Sequence, residues 1–175
     1  MKKIILTVAV VVMSAASYFA QSKFAFVDTD YILANIPEYK SAQADLDKIS
    51  VQWQKEIEVK YAEIDRLYKS FQADQVLLTE EMKKKRQDEI IAKEKEAKDL
   101  QKQKFGVDGE LFKKRQELVK PIQDKVYSAV KVIAEKGHIA IIFDKTSELT
   151  MLYTDPKYDK SDEVLESLGY KPGAK

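Results

Sequence analysis

Between Pro37 and Pro121 the chain has no other proline, and its first glycine there is Gly106; the 83 residues between the two prolines carry 19 basic and 18 acidic side chains. Proline and glycine are the residues that most reliably stop a helix, and charge at this density cannot be packed into an interior. Almost half the protein is therefore long, solvent-facing helix. Apolar residues recur through it at Ala42, Leu46, Ile49, Trp53, Ile57, Ile64, Leu67 and Phe71, close to the three-and-four spacing that gathers them on one narrow stripe. Such a stripe buries itself against another helix, as in a coiled-coil seam, and does not build an enzyme core.

The same chain supplies the opposing helix. Pro37 suits a first helical turn, where its missing N–H goes unused, and the periodicity carries that helix to about Val76. Gln75 to Thr79 breaks the phase, and Thr79 followed by Glu80 and Glu81 reads as an N-cap with acids in the first turn. A hairpin tip falls near Leu78, within residues 76–80. The return helix carries Met82, Ile90, Ala97, Leu100, Leu111, Leu118, Ile122, Val126 and Ile133, a weaker stripe because Lys93, Lys104 and Arg115 stand where apolar residues are expected. At 1.5 Å rise per residue, residues 38–76 extend about 58 Å and residues 80–136 about 85 Å. Gly106 and Gly109 each cost about 1 kcal/mol against alanine, and Pro121 removes a helical hydrogen bond. These read as bend points between an arm and a body, with close packing against the other helix as an equal alternative for the glycines.

The first twenty residues are different. Lys2 and Lys3 precede the apolar run Ile4 to Met13, and Ser14, Ala15, Ala16 and Ser17 lead to Ala20. That run is too short to cross a bilayer as a mature helix and reads as a secretory signal peptide, 1–20. Cleavage after Ala20 is preferred, with cleavage after Ala16, or an uncleaved anchor, as the alternatives. The chain has no cysteine, so it carries neither a disulfide nor a lipidated N-terminal cysteine. Export would deliver a soluble protein with 28 basic and 29 acidic side chains, since cleavage removes two lysines. That balance offers no net attraction to nucleic acid or to an anionic membrane.

The remaining segments suggest a small β-body of residues 21–36 and 121–175, with residues 37–120 as the helical arm. Lys23 to Asp28 is a strand-type run, and Thr29 or Asp30 can cap a brief helix over Tyr31 to Ile36. Gly137 is placed to end the return helix as a C′ residue. His138 to Asp144 is the strongest strand, Lys145 to Glu148 a turn, and Leu149 to Tyr153 the second limb of a hairpin. Ser161 can cap a last helix over Asp162 to Leu168, stopped by Gly169. Three short strands expose too many edges to stand alone. An oligomer that shares them is expected, with Phe24, Phe26, Ile139, Ile141 and Phe143 as the assembly contacts.

Little in this sequence can do chemistry. His138 is the sole histidine, so a Cys-His pair and a multi-histidine metal site are excluded, and no glycine-rich phosphate loop exists. Asp28, Asp30 and Asp144 at strand ends are read as caps and turn formers rather than metal ligands, and His138 as a strand-start residue. No catalytic residue, metal or cofactor is expected. Lys83, Lys84, Lys85 and Arg86 either form a cationic patch for phosphate groups of lipid or lipopolysaccharide, or are a solvated face balanced by Glu80, Glu81, Asp88 and Glu89. Tyr61 and Tyr68 stand seven apart, as do Phe105, Phe112 and Val119, so each set lines one helix face beside the seam. They form either an apolar contact surface or a seam broadened on one side.

Phe26-Val27-Asp28-Thr29-Asp30-Tyr31-Ile32-Leu33, then Ile36-Pro37-Glu38-Tyr39, a helical hairpin, Lys120-Pro121-Ile122-Gln123-Asp124-Lys125-Val126 and a closing Phe143-Asp144-Lys145 together resemble the Skp/OmpH family of periplasmic chaperones. The resemblance covers essentially the whole mature chain. It implies an α+β fold in which a long antiparallel helical hairpin, a coiled-coil tentacle, sits on a small β-body that trimerises into a barrel. It further implies that the tentacles of the homotrimer enclose unfolded outer-membrane proteins, keeping them from aggregating without ATP. Better-known members are strongly basic, whereas this chain is near neutral. A structural coiled-coil scaffold or spacer of the cell envelope is the rival reading, and an enzyme is not expected.

Overall fold

The computed structural model of the chain describes residues 23–147 and 151–173. The expected signal peptide, and Leu149 and Thr150 of the expected hairpin limb, lie outside the described residues. In chain order the elements are β1 (Lys23–Val27), α1 (Thr29–Ala34), α2 (Pro37–Asp74), α3 (Glu80–Phe105), α4 (Glu110–Gly137), β2 (Ile139–Asp144), a 3₁₀ turn (Pro156–Tyr158) and α5 (Ser161–Ser167). The chain divides into two compact units, residues 37–124 and the segments on either side of them.

Residues 37–124 form the helical hairpin. Pro37 opens α2, which runs unbroken for 38 residues. The hydroxyl oxygen of Thr79 accepts the Met82 N–H at 3.3 Å, so Thr79 is the N-cap of α3 as its chemistry requires. Between them α2 ends at Asp74, two residues before the expected Val76. Two separate apolar clusters hold the limbs. Ile64, Phe71, Ile90 and Ala97 make one toward the tip, joined by Leu67 and Leu78. Ala42, Leu46 and Val119 make the other, flanked by Tyr39, Leu111, Leu118 and Ile122. The return limb is cut rather than bent: α3 stops at Phe105 and α4 starts at Glu110. A Cβ on Gly106 would collide with the Lys102 carbonyl oxygen, and one on Gly109 would lie 2.8 Å from the Gly106 nitrogen. The two glycines are there because the backbone folds back on itself. Pro121, expected as a bend point, sits inside a continuous α4.

In the other unit β1 and β2 form a two-stranded parallel ladder, with Phe24 beside Ile141, Phe26 beside Phe143 and Val27 beside Asp144. A parallel pair needs a long crossover, and here the crossover is the whole hairpin. Val27 is buried on one face; on the other, Phe24 stacks on Phe143 with ring centroids 6.5 Å apart. The free side of β1 is covered by Asp159 and Lys160, whose N–H donates to the Phe26 carbonyl at 2.9 Å. Among the described residues nothing pairs with the outer edge of β2. Ile32, Ile36, Val164 and Leu165 from α1, its C-terminal end and α5 are fully buried.

Several local expectations are corrected. The N-cap of α1 is Asp28, whose carboxylate accepts the Tyr31 N–H at 2.8 Å, not Thr29 or Asp30. Thr29 is occupied elsewhere, its hydroxyl donating to Asp144 Oδ2 at 2.7 Å. Gly137 remains helical, and the left-handed turn falls on His138 (φ 50°) instead. Ser161 does not cap α5; its hydroxyl accepts the Asp28 N–H and donates to Asp159, tying α5 to the end of β1. Met151 to Tyr153 form no strand, and Leu152 is 95% exposed. The partner of β2 is β1, more than a hundred residues away.

Candidate functional site

The hairpin has two unlike flanks. At about 100° of turn per residue, Lys60, Glu63, Lys93 and Glu96 lie to one side of the seam. There Lys60 reaches Glu96 at 2.7 Å and Lys93 reaches Glu63 at 3.3 Å. The Lys60 bond is the main reason the Glu96 carboxyl is held below its ordinary value, and the same bond raises the Lys60 ammonium. Tyr61 and Tyr68 on α2 and Ile91 on α3 lie on the opposite side by the same count, and all three are exposed. Tyr61 keeps one polar contact there, its hydroxyl 3.4 Å from the Gln101 side-chain oxygen. One flank is thus cross-linked by charge and the other presents apolar surface to water.

The expected contact residues divide accordingly. Tyr61, Tyr68 and Phe112 are exposed, whereas Val119 is 5% exposed in the cluster with Ala42 and Leu46 and leaves the set. Phe105 is half-buried against the edge of Trp53, centroids 6.3 Å apart. Periodicity alone did not mark Ile91 as exposed apolar surface; its place one residue after the buried Ile90 is the signal that could have done so.

At the tip, Leu78 turns inward onto the distal cluster while Val76 and Leu77 are 89% and 83% exposed. Of the basic run, Lys83 is half-buried and bonded to Glu80 at 2.7 Å, Arg86 is half-buried, and Lys84 and Lys85 are exposed. The structure does not gather these four on one face, as consecutive helical residues cannot be.

The expected assembly residues also separate. Phe26 is buried within its own chain, Ile139 and Phe143 are half-buried, and Phe24 and Ile141 are 51% and 48% exposed beside one another. Asp144 anchors this end of the ladder. Burial alone would raise its carboxyl, but hydrogen bonds from Thr29 and Thr146 outweigh that and hold it below the usual carboxylate range.

The charge-laced helical hairpin and the parallel two-stranded ladder each leave large apolar side chains in water. The family model for OmpH-like outer membrane proteins matches residues 23–168. The chain belongs to that family. It is 35% identical over 145 residues to an uncharacterised protein of Aquifex aeolicus, covering 83% of this chain and 85% of the relative. A crystal structure described as that of a candidate OmpH-like outer membrane chaperone from Caulobacter crescentus has the same fold, with a TM-score of 0.64 at 15% identity and 85% of each chain covered.

Proposed function

We propose that this protein is a periplasmic holdase that binds unfolded outer-membrane proteins without ATP and keeps them from aggregating. The observation that carries the reading is the exposed apolar flank of Tyr61, Tyr68 and Ile91 on a hairpin whose opposite flank is fastened by ion pairs. Isolated surface apolar groups are ordinary, but a row of them along one side of a two-helix arm is a surface for weak, repeated contact. Family membership supports the chaperone role, and export by the N-terminal segment agrees with a periplasmic site.

The flank works as part of an oligomer, a homotrimer in our reading. The outer edge of β2, unpaired among the described residues, and the neighbouring exposed Phe24 and Ile141 support assembly through the ladder. Several flanks facing one client then act together, so each contact can be weak and the client mobile. Lys84 and Lys85 can add a weak contact with lipid or lipopolysaccharide phosphates.

The interhelical ion pairs favour one rival, a stiff spacer of the cell envelope. Dilution of a urea-denatured outer-membrane β-barrel protein into buffer with and without this protein, in the absence of nucleotide, separates the two. Light scattering should fall when the protein is present at a molar excess of trimer. A spacer leaves the scattering unchanged.

A further inference from the structure

The geometry points to a second contact site for apolar side chains of an unfolded polypeptide, formed by Trp53 and Phe105 at the helix break and covered by Lys104, which Glu110 holds in place. It rests on the holdase reading and names a regulated part of the same surface.

Lys104 occupies a seam position, where an apolar residue would pack best. Its ammonium lies 4.6 Å from the centre of the Trp53 ring, within reach of a cation–π contact. The same ammonium is 2.5 Å from Glu110 Oε2, and the Gln103 side-chain amide donates to Glu110 Oε1 at 2.8 Å. Lys104 and Gln103 belong to the last turn of α3 and Glu110 is the first residue of α4. Both bonds therefore span the break from the end of α3 to one carboxylate of α4, and that carboxylate controls whether the indole face is covered.

The place is suited to opening. It lies between the two apolar clusters, so uncovering Trp53 breaches neither Ile64, Phe71, Ile90 and Ala97 nor Ala42, Leu46 and Val119. Gly106 and Gly109 interrupt the helical backbone beside it. A leucine at position 104 would seal the ring for good, whereas a lysine held by a surface carboxylate gives way to a better apolar ligand. Each covering contact is weak, changing the open population by a factor of several at most. A client side chain then takes the place of the Lys104 stem on the indole, and Phe105 offers the second wall.

Trp53 is the chain's one tryptophan, so its fluorescence reports this site in the full-length protein. Without client, Glu110→Gln should raise the acrylamide quenching constant about twofold, the size expected when one weak covering contact is lost. Lys104→Leu should lower it below wild type, with helix content by circular dichroism unchanged in both. Addition of an unfolded β-barrel protein stripped of tryptophan should shift Trp53 emission to the blue in wild type and in Glu110→Gln, and less in Lys104→Leu. Quenching equal in wild type and Glu110→Gln overturns the gate even if aggregation is still suppressed. A wild-type protein that suppresses aggregation while Trp53 emission ignores the client overturns the site. If suppression itself is absent, the holdase reading fails, and a twofold quenching change still establishes the latch.

Discussion

The ladder unit and the hairpin bury apolar surface to very different depths. The largest fully buried side chains, Ile32, Ile36, Val164, Leu165 and Ser161, all lie in the ladder unit, although it has the shorter helices α1 and α5. The hairpin spreads its contacts along a seam only one stripe wide, so that Ile57, Ile64 and Phe71 each keep 7–8% of their surface in contact with water. Two helices alone close fully over a small side chain such as Ala97, whereas a ladder with helices on its face also closes over large ones. The ladder unit should therefore be the more stable of the two.

The largest effect should come from testing that contrast directly. Leu165→Ala removes a side chain with no route for the surroundings to collapse and should cost about 2–5 kcal/mol in urea unfolding. Ile64→Ala lies on a seam that water already reaches, so its cost should sit at the bottom of that range, about 2 kcal/mol or less. Equal costs would show that the hairpin is packed as firmly as the ladder unit and would remove the contrast.

A second substitution separates the stability of the ladder from its proposed assembly role. Ile141 is about half exposed in the single chain, so Ile141→Asp leaves the fold of one chain largely intact. In an oligomer that covers this position, an unpaired carboxylate costs on the order of several kcal/mol. Sedimentation should then find monomers with wild-type helix content. An oligomer of unchanged size would move assembly out of the ladder.

The difference between the two units also explains what could be read from the sequence. The hairpin was legible because its rules are local: the stripe from Ala42 to Phe71, Pro37 at a first turn and Thr79 at a cap each depend on neighbours within four residues. The complete break at Gly106 to Gly109 was less so, because two glycines at about 1 kcal/mol each are compatible with a bend, close packing or a stop. The ladder depends on distant partners. Nothing near Lys23 to Val27 announces parallel pairing with Ile139 to Asp144, and the assignment of Leu149 to Tyr153 as that partner followed from nearness alone. Ser161 misled for the same reason: its hydroxyl answers to Asp28 and Asp159 rather than to its own helix. Of the surface, helical spacing found Tyr61 and Tyr68, but it could not tell the exposed Phe112 from the buried Val119, which share a line along α4 and differ in what α2 places opposite them.

The hairpin's exposed flank, by contrast with the ladder, should matter for capture and not for assembly. Replacing Tyr61, Tyr68 and Ile91 of that flank, together with the exposed Phe112 of α4, by serine removes apolar area worth about 25 cal/mol per Å²; losing part of that at each weak contact should reduce suppression of aggregation roughly tenfold. The proposed oligomer should be unaffected. Changing Lys83, Lys84, Lys85 and Arg86 to glutamine should do less, since two of the four are half-buried and one is already bonded to Glu80. The reverse ranking would make capture electrostatic and assign the apolar flank to packing.

The smallest effect concerns acid, and it should reach the hairpin before the ladder. Glu96 and Glu110 are held below their ordinary 4.5, chiefly by the side-chain bonds from Lys60 and Lys104. A carboxyl with a lowered folded value stabilises fully above its ordinary value, and that contribution is lost as pH falls through the folded value. The hairpin should therefore begin to loosen only below about pH 4.5. Asp144 in the ladder starts from a lower ordinary value, 3.8, so the stability that its bonds to Thr29 and Thr146 contribute begins to fall only at a lower pH. With both hairpin carboxylates at the surface, screening keeps the change small. Titration from pH 7 to pH 3 should show Trp53 quenching rise first, with the wild-type advantage in stability over Asp144→Asn shrinking only at lower pH. If that advantage vanishes before Trp53 responds, the ladder is the acid-sensitive unit and the ion pairs along α2 and α3 hold little.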